Sequence, residues 1–518
     1  MVLRSLPSTR VLAKRRTPNQ LSGYQSKTLA ISVILPVRNE EERLRKNLET
    51  LKQWKAVKEI IVIANGCTDN SEQIANHAGA LVVSYPEPLG PDTGRAIGAK
   101  LASCEYILFL DADIVWKIEE LQPLVQSLRQ GADIALNRYP LKGSRYFHHP
   151  TAVAKRTLNI ALGMGHLQAA SLTAVPHAVR KSAIQKIGAK FLAVPPLFQT
   201  KAVLAGLKIT APTYINVRIR NRRRATHRDG YHMQDVILGD HVEAFAEIIR
   251  QKGERGGYAD RRRRDFIEES SSHDSHQWVA VVPASNEEKT LPGVIRELFK
   301  TKVSDIYVIE NGSDDHTARV AEQNGAHVQS FTMPLGHDVG RAIGASLAQS
   351  SEGILFVDSD FAVPAEELVP FLEAIEAGAD IALNDLSSGI STIAKRDAVT
   401  TMKSFLNLVL GCPHLGACSM TAVPHAIRGR VLNVISVEDL AVPPKAQVRA
   451  ILSDLKIEPV RFVDVIQRNR YRAKLHSARH GSFLKHLIIG DHIEAISLLI
   501  HSRGERAGFV QPRRLDQI

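Results

Sequence analysis

Cysteine is scarce in this chain. There are four in 518 residues (Cys67, Cys104, Cys412 and Cys418), and no C-x-x-C pair among them. This excludes a disulfide framework and a cysteine-built zinc site, and it predicts a reducing, cytoplasmic setting. No apolar run approaches the roughly 18 residues that cross a bilayer, so a membrane-embedded enzyme is excluded. Aromatic residues make up only 5%, and they are not interleaved with the basic clusters as base-stacking platforms would be. Nucleic acid is therefore disfavoured as a partner.

Acidic residues are missing where basic ones collect. Residues 1–28 hold Arg4, Arg10, Lys14, Arg15, Arg16 and Lys27 and no carboxylate. We read them as a disordered basic arm, with a transit peptide as the alternative. The whole chain carries +12, a balance suited to phosphorylated small molecules or to peripheral contact with an anionic membrane surface.

What is present is written twice. GRAIGA begins at Gly94 and again at Gly340, and GADIALN at Gly131 and Gly378. TAVPHAVR at Thr173 is answered by TAVPHAIR at Thr421, LAVPP at Leu192 by LAVPP at Leu440, and GDHVEA at Gly239 by GDHIEA at Gly490. The copies run over 29–258 and 277–510. Between them, 259–276 is charged and Ser-rich without apolar periodicity, and reads as a linker whose Arg261–Arg264 run is solvated.

Each copy alternates strand-like and helix-like segments, as in ISVILP, then NEEERLRKNLETL, then EIIVIAN. This predicts an α/β fold: an open, largely parallel sheet with helices on both faces. The turn after each first strand has no G-x-G-x-x-G and no P-loop, which disfavours a dinucleotide enzyme or an ATPase.

A short apolar strand in each copy ends on two carboxylates: YILFLDADI from Tyr106 and GILFVDSDF from Gly353. Residues i and i+2 of a strand share a side. Asp111 with Asp113, and Asp358 with Asp360, would therefore face one crevice at the sheet's C-terminal edge. Two such carboxylates repel unless something positive joins them, most simply a hard divalent cation that also holds phosphate oxygens. An Asp-rich loop capping the next helix is the alternative.

The order P-x-x-N-E, then x-N-G-x-x-D, then G-R, then D-x-D resembles the family 2 glycosyltransferases of the GT-A fold, over nearly the whole chain. The second copy is also similar, more distantly, to the glucosyl-3-phosphoglycerate synthases, through PHLGACSMTAVPHAIR and a basic His/Arg tail. The resemblance implies two tandem GT-A domains and a nucleoside-diphosphate sugar, UDP preferred, as donor. It also implies Mg²⁺ or Mn²⁺ as cofactor; the acceptor stays open, with a phosphorylated or lipid-linked one as the candidate.

In the second copy it assigns Pro283, Glu287 and Arg341 to the donor and Glu310 to the base. Asp358 would take the ribose or metal, and Asp360 the metal. Asp439, with Glu438, would be the catalytic carboxylate. In the basic stretch from Ile466, Arg470 and Arg472 are candidates to clamp the diphosphate and His476 to complete the metal site; solvated cations are the alternative.

The first copy keeps Glu40, Asp111 and Asp113. It has Ala64 where the second has Glu310, and Lys190-Phe191 where the second has Glu438-Asp439. It is therefore expected to be degenerate and the second copy catalytic. A non-catalytic nucleotide-sugar binder or scaffold, or a sugar-phosphate nucleotidyltransferase, are the rival readings.

Overall fold

In the computed structural model the described residues are 29–139, 149–220, 232–268, 277–389, 397–465 and 483–518. The first half builds strands β1 (Ile31–Val37), β2 (Val57–Asn65), β3 (Leu81–Tyr85), β4 (Tyr106–Phe109), β5 (Ile134–Asn137), β6 (His177–Arg180) and β7 (Ile209–Thr213). The second repeats them as β8 (Trp278–Ala284), β9 (Val303–Asn311), β10 (His327–Phe331), β11 (Gly353–Phe356), β12 (Ile381–Asn384), β13 (His425–Arg428) and β14 (Ile457–Arg461).

Each set forms one seven-stranded sheet, in the orders β3-β2-β1-β4-β6-β5-β7 and β10-β9-β8-β11-β13-β12-β14. The sheets are parallel except for β6 and β13, which run antiparallel to both neighbours. These are the two GT-A-like α/β domains expected. Chain order reverses beside β1 and β8, so the ends of β1 and β4, and of β8 and β11, open a crevice at a topological switch point.

The inserted antiparallel strand explains one repeat that the sequence left without a role. TAVPHAVR and TAVPHAIR supply β6 and β13. His177 there stacks on Phe109 at 4.9 Å, and His425 on Phe356 at 4.8 Å. GADIALN supplies β5 and β12. Its terminal Asn137 and Asn384 each donate to two carbonyls and accept one N–H, across the strands that follow.

A further apolar core joins the halves. Helices Pro150–Ala161 and Met233–Lys252 of the first half pack on Ala398–Val409 and Phe483–Arg503 of the second, with Phe245 stacked on Phe405 at 5.5 Å. Among the described residues no helix is long and apolar enough to cross a membrane.

The segment read as a linker departs from expectation at its start. Residues 259–268 dock on the second half. Arg262 has a fully buried side chain paired with Asp491, and Ile267 enters that half's core. The run Arg261–Arg264 is therefore not a solvated segment as a whole. Ionic partners on the receiving surface overcome the composition, because a guanidinium can be buried when carboxylates hold it bidentately.

Candidate active site

The crevice of the second half, about 340 Å³, is lined by Pro283, Asn311, His337, Asp338, Asp358 and Asp360, among others. Short apolar β11 delivers the two aspartates two and four residues past its end. Ser359, between them, donates to the Pro283 carbonyl at 2.8 Å, tying the loop to β8. The first half has a crevice of about 700 Å³ around Pro36, Arg38, Glu40, Asp92, Asp111 and Asp113. There the loop is tied differently. Asn47, in helix Glu41–Gln53, donates to the carbonyls of Ala112 (3.3 Å) and Ile114 (2.8 Å), and the Trp116 indole N–H donates to that of Asp111 (3.0 Å).

Arg341 does not reach into open space. It is buried, with one nitrogen 2.7 Å from Asp338 and another 2.8 Å from Asp358. Arg95 does the same with Asp92 (2.7 Å) and Asp111 (2.9 Å). Arg341, assigned to the donor from the sequence, and its counterpart Arg95 are each the clamp that orients the first aspartate of D-x-D. Asp338 and Asp92 sit in the left-handed region, at φ 66° and 60°, a conformation in which Asp is among the better tolerated side chains. Burial disfavours charge on Asp338, but His337, Arg341 and Arg262 together hold its carboxyl well below the usual range.

Asp360 Oδ1 is buried with no hydrogen-bond partner among the described residues. Burial first, then the charge of Asp358, push its carboxyl up to about 6. A buried oxygen of this kind calls for a cation. Among the described residues no three His, Cys, Asp or Glu side chains converge to cage one. A two-carboxylate site nonetheless fits Mg²⁺ or Mn²⁺, which take remaining ligands from water and diphosphate oxygens. His476, Arg470 and Arg472 lie outside the described residues.

Other expected residues brace the site. Asn286 and Asn39 accept backbone N–H groups from the second turn (Asp314, 2.8 Å; Thr68, 2.7 Å), locking two loops together. Glu287 is buried and accepts from the Thr290 hydroxyl at 2.7 Å. Glu310 stands at the end of β9, where its carboxylate accepts the Ser313 N–H. It does not line the crevice, as a base-reading residue would.

Asp439 is placed otherwise than a base open to the crevice would be. It is 2% exposed, does not line the crevice, and has its carboxylate engaged by Lys445 (3.3 Å) and Arg449. Its counterpart Phe191 receives Lys201 at 4.4 Å over its ring, and Lys201 is the counterpart of Arg449. The cation at this position is thus held by Asp439 in one half, and by the Phe191 ring together with the Glu247 carboxylate (2.8 Å) in the other. That makes Asp439 a brace, where the sequence suggested an acceptor-side base. Glu438 is exposed on the short helix Val437–Leu440, away from the crevice lining.

Sequence reasoning missed Asp338, Asp92 and His337. The signal was present in the loop before GRAIGA, PLGHD in one copy and PLGPD in the other.

The family model for glycosyl transferase family 2 matches residues 32–186 and 279–395, more than half of the chain and both crevices. Among curated proteins, the 4,4'-diaponeurosporenoate glycosyltransferase of Staphylococcus haemolyticus is 36% identical over 107 residues, covering 19% of this chain and 28% of that protein. The Staphylococcus aureus protein of the same name is 28% identical over 138 residues, covering 24% and 34%. The chain thus spans about a third or less of the length of these relatives. Among solved structures, glucosyl-3-phosphoglycerate synthase from Mycobacterium tuberculosis with Mn²⁺, UDP and glucosyl-3-phosphoglycerate is 19% identical. It covers 43% of this chain and 80% of that one, at a TM-score of 0.32. The same enzyme with Mn²⁺, UDP-glucose and phosphoglyceric acid gives 19%, 45%, 86% and 0.33. On the family match across both halves, this chain belongs to glycosyltransferase family 2.

Proposed function

We propose that this protein moves a sugar from a nucleoside-diphosphate donor, UDP preferred, to a phosphorylated or lipid-linked acceptor, and that transfer occurs in the second half. The observation that carries the reading is the pair at the floor of the second crevice. Asp358 is fixed by Arg341, and Asp360 has a buried, unsatisfied oxygen. Asp358 and Asp360 would hold Mg²⁺ or Mn²⁺, which offsets the charge that builds on a departing diphosphate.

The chain's own groups do the rest. Asp338, fixed by Arg341 and Arg262, keeps His337 within 3.3 Å at the crevice wall. There the imidazole is placed to hydrogen-bond a phosphate oxygen and pass it a proton. Pro91 stands at that position in the first half and can do neither. The first crevice is of donor type too, and on this reading it binds a nucleotide without turning it over.

Thermal unfolding of the full chain tests the reading, since a ligand bound only by the folded state raises its stability. UDP with Mn²⁺ should raise Tm, EDTA should remove most of that rise, and Asp360→Asn should remove the second crevice's share of it. An equal rise with and without metal would refute the metal assignment, and no rise with any nucleoside diphosphate would refute the donor reading.

A further inference from the structure

The chain crosses over between halves in a reciprocal way. After its long helix Met233–Lys252, the first half sends residues 253–268 onto the second. After Phe483–Arg503, the second half sends residues 504–518 back onto the first. The receptor is the G-D-H-x-E-A motif of each long helix. Asp491 takes Arg262 through two hydrogen bonds of 2.8 and 2.7 Å, and Asp240 takes Arg513 through two of 2.8 and 2.6 Å. Glu494 takes Arg255 at 2.6 Å, and Glu243 takes Arg506 at 2.7 Å. The exchange is isologous, as at a twofold dimer interface, but within one chain.

The same two arginines also reach the loops that line the crevices. Arg262 donates to the His337 carbonyl at 2.7 Å and lies 3.6 Å from Asp338 Oδ2. Arg513 donates to the Pro91 carbonyl at 2.9 Å and lies 3.4 Å from Asp92 Oδ2. Approach is so close that the loops need glycine. A Cβ on Gly336 would stand 3.1 Å from Arg262 Cα, and one on Gly90 would stand 2.5 Å from the Pro512 carbonyl oxygen. Charges then alternate inward without a break: Asp491, Arg262, Asp338, Arg341 and Asp358 in one half, Asp240, Arg513, Asp92, Arg95 and Asp111 in the other.

We propose that Arg262 and Arg513 are positioning residues supplied in trans. Each is delivered by the tail of one half, and each fixes, through Asp338–Arg341 or Asp92–Arg95, the first D-x-D aspartate of the other half's crevice. Neither crevice is complete without the opposite half. The consequence for ligand binding rests on the donor reading above; the cross-bracing itself does not.

Two measurements on the full chain separate them, with Arg264→Gln as control. Arg264 lies in the same tail and pairs with Glu494 at 3.1 Å, without reaching the crevice. In hydrogen exchange, Arg262→Gln should speed the amides of 335–338 and 357–360 on the order of tenfold or more, the effect of a lost charge-assisted hydrogen bond. It should leave 89–92 and 110–113 unchanged. Arg513→Gln should do the reverse, and Arg264→Gln should move neither set.

Calorimetry of UDP with Mn²⁺ then reads one crevice at a time, in Asp113→Asn or Asp360→Asn backgrounds. Arg262→Gln should weaken binding about tenfold only where the second crevice remains, and Arg513→Gln only where the first remains. If exchange changes stay within each tail, or both variants loosen both loops alike, the proposal is overturned whatever binds. Crossed exchange effects without any UDP binding would uphold the bracing and refute the donor reading.

Discussion

The two halves share a frame and differ in what they place in it. Both hold the first D-x-D aspartate with an arginine, and that arginine with an aspartate in left-handed backbone. Around the frame the first half has Pro91, Ala64 and Phe191 where the second has His337, Glu310 and Asp439. The first crevice is also about twice the size of the second, near 700 against 340 Å³. The parts that set backbone and charge are therefore the same in both halves, and of the three differences only His337 against Pro91 lies in a crevice lining. The comparison also shows that a sequence difference is not in itself a catalytic difference. Phe191 and Asp439 differ in kind, yet each restrains a cation on the helix that follows.

The shared frame can be broken from outside by acid. Burial first, with nearby cationic charge behind it, lowers His177, His241 and His492 to about 3 and His425 to about 4. Each stays neutral when folded but takes a proton when unfolded below its ordinary value near 6.5. Stability from these groups is thus complete above about pH 6.5 and lost as pH falls toward 4, at about 1.4 kcal/mol per pH unit for each histidine. Denaturant melts between pH 7 and 4.5 should show this loss, with both halves losing stability over the same pH range because each carries two such residues. A flat profile would contradict the neutral-histidine assignment.

The next effect is on the paired receptors. Asp491→Ala and Asp240→Ala each leave a buried arginine without its bidentate partner, at a cost of about 3–5 kcal/mol. The two costs should match, and a large inequality would break the symmetry of the exchange. Smaller still is Asp439→Asn, which weakens an ionic brace by about 1–3 kcal/mol and should leave the turnover number nearly intact. His337→Gln should behave oppositely, lowering transfer on the order of 10²-fold with little change in Tm. If Asp439→Asn silences transfer at unchanged stability, Asp439 is the base after all.

Much of this was legible in the chain. The repeats showed two like domains, the apolar runs before DAD and DSD showed the strands that carry the aspartates, and the motif order showed the family. The crossed tails were not read, because a run of arginines after a helix has the composition of a solvated linker, and nothing local says that carboxylates elsewhere wait for it. A correspondence did exist, GERGGY with RRRRDFI against GERAGF with PRRLDQI, but RRRRDFI lies beyond the point where the first copy was taken to end. The ionic partners of Asp439 were not legible for a related reason. An E-D pair opening a helix looks alike whether it faces an acceptor or a basic residue on the following helix, and only packing distinguishes the two.

Donor turnover in single-aspartate variants tests the central claim, that the halves are equal in frame and unequal in chemistry. UDP-sugar hydrolysis or transfer with Mn²⁺ would be followed for the full chain, Asp113→Asn and Asp360→Asn, each checked for an unchanged melting profile. The account predicts a loss on the order of 10²- to 10³-fold for Asp360→Asn and a nearly unchanged rate for Asp113→Asn. A silent Asp113→Asn beside an active Asp360→Asn would contradict it and place the chemistry in the first half.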